Sequence, residues 1–128
     1  MITLSLLKFI ENHGLGKIDE DLFFQKLALG KVGVYISDIG EAIERGARKR
    51  QSFEIFARGN NDIDGYKRLK AVVDLLNDSY GVCVLPAVPP VTNEPYENVT
   101  IMPLSSISNV GLDDDGRVIY SATGTIYY

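Results

Sequence analysis

Apolar residues recur at helical spacing in two stretches of the chain. In the first, the repeat begins at Leu4 and continues until Gly14, a residue type that commonly ends helices. Thr3 immediately precedes the repeat and has the hydroxyl that an N-cap position favours. The pattern therefore predicts a short amphipathic helix that Thr3 caps and Gly14 ends.

The second helical stretch is longer. Asp62 can cap it, and Gly81 ends it directly after Tyr80. A single apolar stripe implies that this helix lies on one face of a sheet. The stripe consists of Ile63, Tyr66, Leu69, Val73, Leu76 and Tyr80, with Val72 and Leu75 beside it.

Other segments show the alternation or the short apolar runs that are typical of β-strands. From Gln51 to Arg58, the side chains of Phe53, Ile55 and Ala57 share one face, which predicts a half-buried strand. Phe56 lies on the opposite face, where it still needs a cover. The other predicted strands are Leu22–Phe24, Val32–Ile36, Val82–Leu85, Val99–Met102 and a last strand that runs to Tyr128. Pro103 suggests an edge position or a bulge for the strand before it.

The stretch from Ser37 to Arg50 fits either a single helical turn or the arm of a long hairpin, and we favour the arm. It carries four cations within six residues: Arg45, Arg48, Lys49 and Arg50. Such a cluster can contact an acidic partner or DNA phosphates. The plain alternative is a charged strand that stays soluble and is protected from edge pairing.

Two turn regions complete the pattern. Four prolines within ten residues favour an extended surface crossing from Pro86 to Glu97. Asp115 and Gly116 supply the positive-φ chemistry of a tight hairpin before the last strand.

Tyr127 and Tyr128, at the end of the last strand, lie on opposite faces of the sheet. At least one of them is expected to be covered, either by the long helix or by a neighbouring subunit.

The order of elements is helix, strands, long strand, long helix, strands. Strands joined by short turns imply antiparallel pairing, and grouped helices imply one covered sheet face. We therefore predict an α+β fold with a mostly antiparallel sheet and two helices packed on one face. At 128 residues, the chain is expected to form a single domain over 1–128.

Charge and targeting signals narrow the class of partner. The net charge of −4 gives no overall field that favours nucleic acid or an anionic membrane surface. We find neither a signal-peptide pattern nor an apolar run long enough to cross a bilayer, so a soluble protein without a membrane partner is expected.

Few residues suit catalysis or metal binding. His13 is the sole histidine and lies beside a helix-ending glycine, where a capping role is favoured; Cys83 lies in an apolar run, where a buried small side chain is favoured. Asp113-Asp114-Asp115 lacks the spacing of a calcium loop and is read as a solvated turn. We expect no catalytic, cofactor-binding or metal-binding residue, and no enzyme; a small enzyme or nucleotide-binding domain is the alternative from a different class.

Taken together, these segments resemble the minor capsid and tail terminator (tail completion) proteins of long-tailed bacteriophages and prophages. The resemblance rests on the order of the strand at Leu22-Phe23, the segment Val34–Gly40, the strand Gln51–Gly59, the capped helix Asp62–Tyr80 and the ending from Asp115 to Tyr128. Two segments depart from the family: Asp38-Ile39-Gly40-Glu41 replaces Asp-Thr-Gly-Gly, and Leu27-Ala28-Leu29-Gly30 lacks the usual proline.

The resemblance implies a structural virion protein that caps the tail tube, commonly as a hexameric ring, and faces the head-tail connector protein. It implies assembly in the bacterial host cytoplasm, contact with the tail tube protein, and passage of phage DNA through the lumen with only non-specific contact. The arm from Ser37 to Arg50 and the crossing from Pro86 to Glu97 would then be the candidate contact segments. A head-closure or neck adaptor of the same assembly is the alternative role.

Overall fold

The computed structural model describes residues 1–26, 31–79 and 81–128, with the backbone alone at 81 and 82. Two helices and seven strands form the described chain. The helices are α1 (Ile2–Asn12) and α2 (Asp62–Asp78). The strands are β1 (Leu22–Phe24), β2 (Gly33–Arg45), β3 (Arg48–Arg58), β4 (Gly81–Leu85), β5 (Tyr96–Ile101), β6 (Ser108–Leu112) and β7 (Val118–Tyr127). Residues 27–30, where the sequence lacks the proline usual in the resembled family, lie outside the described residues. Tyr80, the last residue of the predicted stripe of the long helix, also lies outside them.

The strands form one sheet in the order β1-β2-β3-β7-β5-β4, and β6 also pairs with β7. Every pair is antiparallel except β1 with β2, where Leu22 is opposite Val34 in a parallel register. The α+β class and the mostly antiparallel sheet are therefore confirmed. Only residues 25–32 separate β1 from β2 along the chain. The expectation that strands close in sequence pair antiparallel therefore failed for this pair.

Both helices pack on the same side of the sheet. α1 contacts β1, β2 and β4, which belong to opposite ends of the strand order, so the sheet curls around it; α2 lies over β2, β3 and β7. Their buried side chains join the inward face of β3 in one hydrophobic cluster. The predicted inward residues Phe53, Ile55 and Ala57 are all fully buried there. Burial of this apolar surface is the main stabilising term of the fold.

The outer face of β3 carries Phe56, which the sequence left without a cover. Phe56 is directly opposite Tyr35 of β2, and the two rings stack with their centroids 4.7 Å apart. Such an offset pair shields both rings without a third layer. Burial raises the pKa of the Tyr35 phenol, and the negative charge of Glu54 adds to the effect.

The predicted caps of the two helices were each misplaced. Thr3 lies inside α1, whose N-cap is Met1, and its hydroxyl donates to the Asp38 carboxylate at 2.7 Å. The N-cap of α2 is Asn61, whose side-chain oxygen accepts from the Asp64 N–H at 2.9 Å. In both cases the true cap is the residue one or two positions earlier, as is common for helix boundaries read from sequence.

The stripe of α2 is only partly buried. Leu69, Val73 and Leu76 face the sheet as predicted, whereas Ile63 is 68% exposed and Tyr66 is 43% exposed. At the start of α2, these two side chains of the predicted stripe therefore face solvent rather than the core. Gly65 occupies the buried position there, because the backbone of Gly59 approaches it closely.

β5 differs in extent from the predicted strand Val99–Met102. β5 begins at Tyr96, inside the expected proline crossing, and ends at Ile101, before Pro103. It pairs with β4 on one side and with β7 on the other, so the expected edge position for this strand is wrong. The strand simply stops before the proline, which cannot donate to the ladder.

Candidate functional site

The stretch from Ser37 to Arg50 is the arm of a long hairpin, as favoured, and not a helical turn. β2 continues without interruption to Arg45, and β3 begins at Arg48, with Gly46 in the left-handed region at the turn (φ 64°). Arg45 is opposite Arg48 across this turn. An irregularity in the ladder lies between Ile39 and Ile43. We call residues 37–50 the arm.

Arg48, one of the four candidate contact cations, makes hydrogen bonds within the fold. Its guanidinium donates to the carbonyl oxygens of Asn98 (2.5 Å) and Tyr127 (3.0 Å) and to the Thr100 hydroxyl (3.1 Å). The cation also lies over the Tyr127 ring, 6.0 Å from its centroid. Arg48 therefore fastens the arm to β5 and β7.

The other three cations remain available. The side chains of Arg45 and Lys49 are exposed, and Arg50 is half-buried opposite Tyr127. Within the described ranges, none of the three forms an ion pair. The arm thus exposes Arg45 and Lys49 near its tip, together with the carboxylates of Glu41 and Glu44, while Arg48 holds it in place.

Replacing Arg48 with Ala is expected to lower the free energy of unfolding by about 1–2 kcal/mol, because charge-assisted bonds to β5 and β7 are lost. Arg45→Ala is the matched control on the opposite strand, and we expect a change within about 0.5 kcal/mol because that side chain is exposed. Urea unfolding of both variants measures the difference. Equal stabilities of the two variants would show that the hydrogen bonds of Arg48 do not stabilise the fold.

Tyr127 and Tyr128 are both half-buried, and the cover of Tyr128 is β5 rather than α2. The Tyr128 ring meets Tyr96 of β5 edge to face, with the centroids 5.6 Å apart, and its backbone exchanges hydrogen bonds with Lys49. Burial raises the pKa of the Tyr128 phenol, and the nearby Tyr96 and Asp38 add to this. These hydrogen bonds hold the arm at Lys49 to the final residue of the chain.

The acidic segment forms the predicted turn, but it is only partly solvated. It joins β6 to β7, with Gly116 at φ 77°. Asp113 turns inward, where it accepts from Arg58 at 2.9 Å and from Arg117 at 3.1 Å, whereas Asp114 and Asp115 are exposed. Burial raises the pKa of Asp113, but the N–H and guanidinium of Arg117 and the N–H of Asp115 lower it more, and the net shift is downward.

This buried link between Arg58 and Asp113 was missed at the level of sequence. The two residues are far apart along the chain, and nothing in either local pattern pairs them. The signal that was present is local: the Asp113 carboxylate also accepts from the N–H groups of Asp115 and Arg117, an arrangement typical of aspartate at the start of a turn.

The other candidates for chemistry have structural positions. His13 is the C-cap of α1, and its Nδ1 lies 2.8 Å from the Phe9 carbonyl oxygen. Cys83 is half-buried rather than buried, and burial raises the pKa of its thiol. Among residues 1–26, 31–79 and 81–128, no group of three or more His, Cys, Asp or Glu is placed to hold a metal ion.

One groove lies between α2 and the segment from Leu104 to Ile107, with a volume of about 330 Å³. Its only charged lining side chains within the described part are Lys70 and Asp74, which pair with each other at 2.7 Å on the surface of α2.

Neither helix of the described chain is both long and apolar enough to cross a bilayer.

The arm, fixed by Arg48 and exposing Arg45 and Lys49, is therefore the candidate functional site. Comparison with protein-family models and with curated proteins gives no match.

Proposed function

We propose that this protein is a structural virion protein of the tail terminator type, which caps the phage tail tube as a ring and joins it to the head connector. The observation that carries the proposal is the arm. It extends past the three-residue strand β1, exposes cations, and is held by Arg48 in a defined position. A fixed, charged projection suits a contact with a neighbouring subunit or with the tube.

The order of elements supports the same role. A short strand, a long hairpin, a capped helix and a closing strand follow one another as in the tail terminator proteins that the sequence resembles. His13 is engaged locally as a helix cap, and Asp113 is engaged in an ion pair with Arg58. The proposed role requires shape and surface charge, and these are the properties that the arm supplies.

The test is assembly with separated partners. We expect the purified protein to form rings with a central hole under negative stain, at high concentration or when tail tube protein is added. We also expect tagged protein to retain the tube protein in a pull-down. A protein that stays monomeric in the presence of its tube protein would contradict the proposal.

The same experiment separates the alternative roles. Retention of the portal-side protein without the tube protein would instead identify a head-closure or neck adaptor. A saturable rise in melting temperature with one nucleotide or divalent metal would point to a ligand-binding domain, because a ligand that binds only the folded state stabilises it.

A further inference from the structure

Within the arm, β2 contains more residues than the stretch of β3 that it pairs with. Ile39 is opposite Ser52 and Ile43 is opposite Arg50, so residues 40–42 face a single residue of β3. Extra residues on one strand of an antiparallel pair form a bulge, which leaves backbone groups without a partner in the ladder. The arm therefore stores two extra residues in a bulge on β2.

The bulge is held by a glycine and a buried amide. Gly40 has a left-handed φ of 70°, a conformation that glycine adopts without strain. The side chain of Gln51, which is only 6% exposed, donates to the Gly40 carbonyl oxygen at 3.1 Å. With the extra residues placed here, the hairpin closes through Gly46 and Ala47 alone, a two-residue loop that begins with glycine.

The same two residues fit equally into the hairpin loop. If the ladder continues past Ile39 without a bulge, Glu41 is opposite Arg50 and the loop becomes residues 44–47. Loops of four residues are common in hairpins. The β2 side of the arm is then displaced along β3 by about 7 Å, two residues at roughly 3.4 Å each. Because the displacement is two residues, every side chain keeps its face of the sheet.

Little outside the arm fixes the register of this part of β2. β1 ends opposite Ile36, so the outer edge of β2 beyond that residue has no strand partner within the described residues. Ile39 and Ile43 are 48% and 46% exposed, and Ala42 is only half-buried. Register is strongly specified where one face of a strand is buried, and neither face is buried here.

The segment that can shift has fixed neighbours on both strands. Before the bulge, the Asp38 carboxylate accepts from the Thr3 hydroxyl at 2.7 Å and from the Gln25 amide at 3.2 Å. On β3, Arg48 donates to backbone carbonyl oxygens of β5 and β7, so that strand stays in place. A shift of register therefore involves residues 39–47 alone.

Cross-strand charges do not decide between the two registers. In the observed register, Arg45 is directly opposite Arg48, and like charges in such a pair are destabilising. In the shifted register, Arg45 lies in the loop and Glu41 is opposite Arg50, a favourable pair. The shift also separates Lys49 from the carboxylate that now lies opposite it. Each register therefore has one favourable charge pair.

We propose that the arm is a two-register switch, in which residues 39–47 slide by two positions along β3 and the bulge exchanges with a longer hairpin loop. Gln51 and Gly40 favour the observed register, and a contact that binds the longer loop better selects the other one. The use of this switch in assembly rests on the ring proposed above, where the neighbouring subunit or the tube supplies that contact. The slip itself is a property of the single chain.

NMR of the protein at a concentration where it is monomeric tests the slip. Directly opposite residues lie close enough for backbone nuclear Overhauser contacts, so a contact from 43 to 50 reports the observed register and one from 41 to 50 the shifted register. Gly40→Ala strains the left-handed residue of the bulge but suits an extended strand. We therefore expect the ratio of shifted to observed register to rise about tenfold. Relaxation dispersion of the amides in residues 39–47 measures the minor population.

Two further variants move the register in known directions. Gln51→Met removes the amide that holds the bulge, so the ratio should rise about fivefold. Adding Glu41→Lys to Gly40→Ala places like charges opposite each other in the shifted register, so the ratio should fall below that of Gly40→Ala alone.

Gly116→Ala is the matched control, because Gly116 has φ 77° and, like Gly40, has open space where a Cβ would lie. It strains the turn between β6 and β7 and should leave the arm ratio unchanged. A Gly40→Ala protein that keeps the wild-type ratio would overturn the inference. Loss of the 43–50 contact without a gain of the 41–50 contact would do the same, since the arm would then unfold rather than slide. Wild-type protein that fails to assemble with the tube protein removes the proposed function but leaves the register measurement standing.

Discussion

Replacing Leu76 with Asp is expected to unfold the protein at neutral pH. Leu76 is fully buried in the cluster between α2 and the sheet. The change removes a core side chain, which costs about 2–5 kcal/mol, and places an unpaired carboxylate in the vacated space, which costs several more. The sum is comparable to the total stability of a typical domain, about 5–15 kcal/mol. Circular dichroism should show no cooperative thermal transition.

Ile63→Asp is the matched control, since it makes the same kind of change on the same helix. Ile63 is 68% exposed in the first turn of α2, so its carboxylate stays in water. An aspartate there also interacts favourably with the positive end of the helix dipole. We expect its melting temperature to stay within about 3 °C of wild type. A soluble Leu76→Asp protein with native melting temperature would show that this helix face is wrongly assigned.

Ile63 and Leu76 show which part of the burial of α2 its hydrophobic periodicity predicts. Spacing places Ile63 and Leu76 in one stripe, and it correctly predicted a helix with one buried face. Burial of the first turn depends on a tertiary detail, the close approach of Gly59 to Gly65, which fills that position with backbone. A stripe in sequence therefore identifies the buried side of a helix but not where the sheet beneath it ends.

The arm shows the same division between local and distant information. The long hairpin was the favoured interpretation of this stretch, and the cluster of four cations marked it as charged. The role of Arg48 could not be predicted, because its acceptors Asn98 and Tyr127 lie 50 and 79 residues away along the chain. Four neighbouring cations are equivalent in sequence, and only the packing of β5 and β7 against the arm distinguishes one of them.

Replacing Gly59 with Ala is expected to lower the free energy of unfolding by about 3 kcal/mol, or the melting temperature by about 10 °C. Gly59 is buried where β3 meets the start of α2. A Cβ there would overlap the backbone N of Gly65 and lie 2.7 Å from the carbonyl carbon of Asp64. These are backbone atoms of a helix, so they cannot move aside as a flexible side chain would.

The neighbouring Asn60→Ala change separates this overlap from a general effect of altering the loop. Asn60 is exposed, and its backbone N–H donates to the Asp64 carboxylate at 2.8 Å, a bond that alanine retains. We therefore expect a change within about 0.5 kcal/mol for Asn60→Ala. Relief of the overlap in Gly59→Ala requires α2 to tilt from the sheet, and this would also loosen Leu69, the first fully buried leucine of the helix. Wild-type stability in Gly59→Ala would mean that α2 does not rest directly on the end of β3.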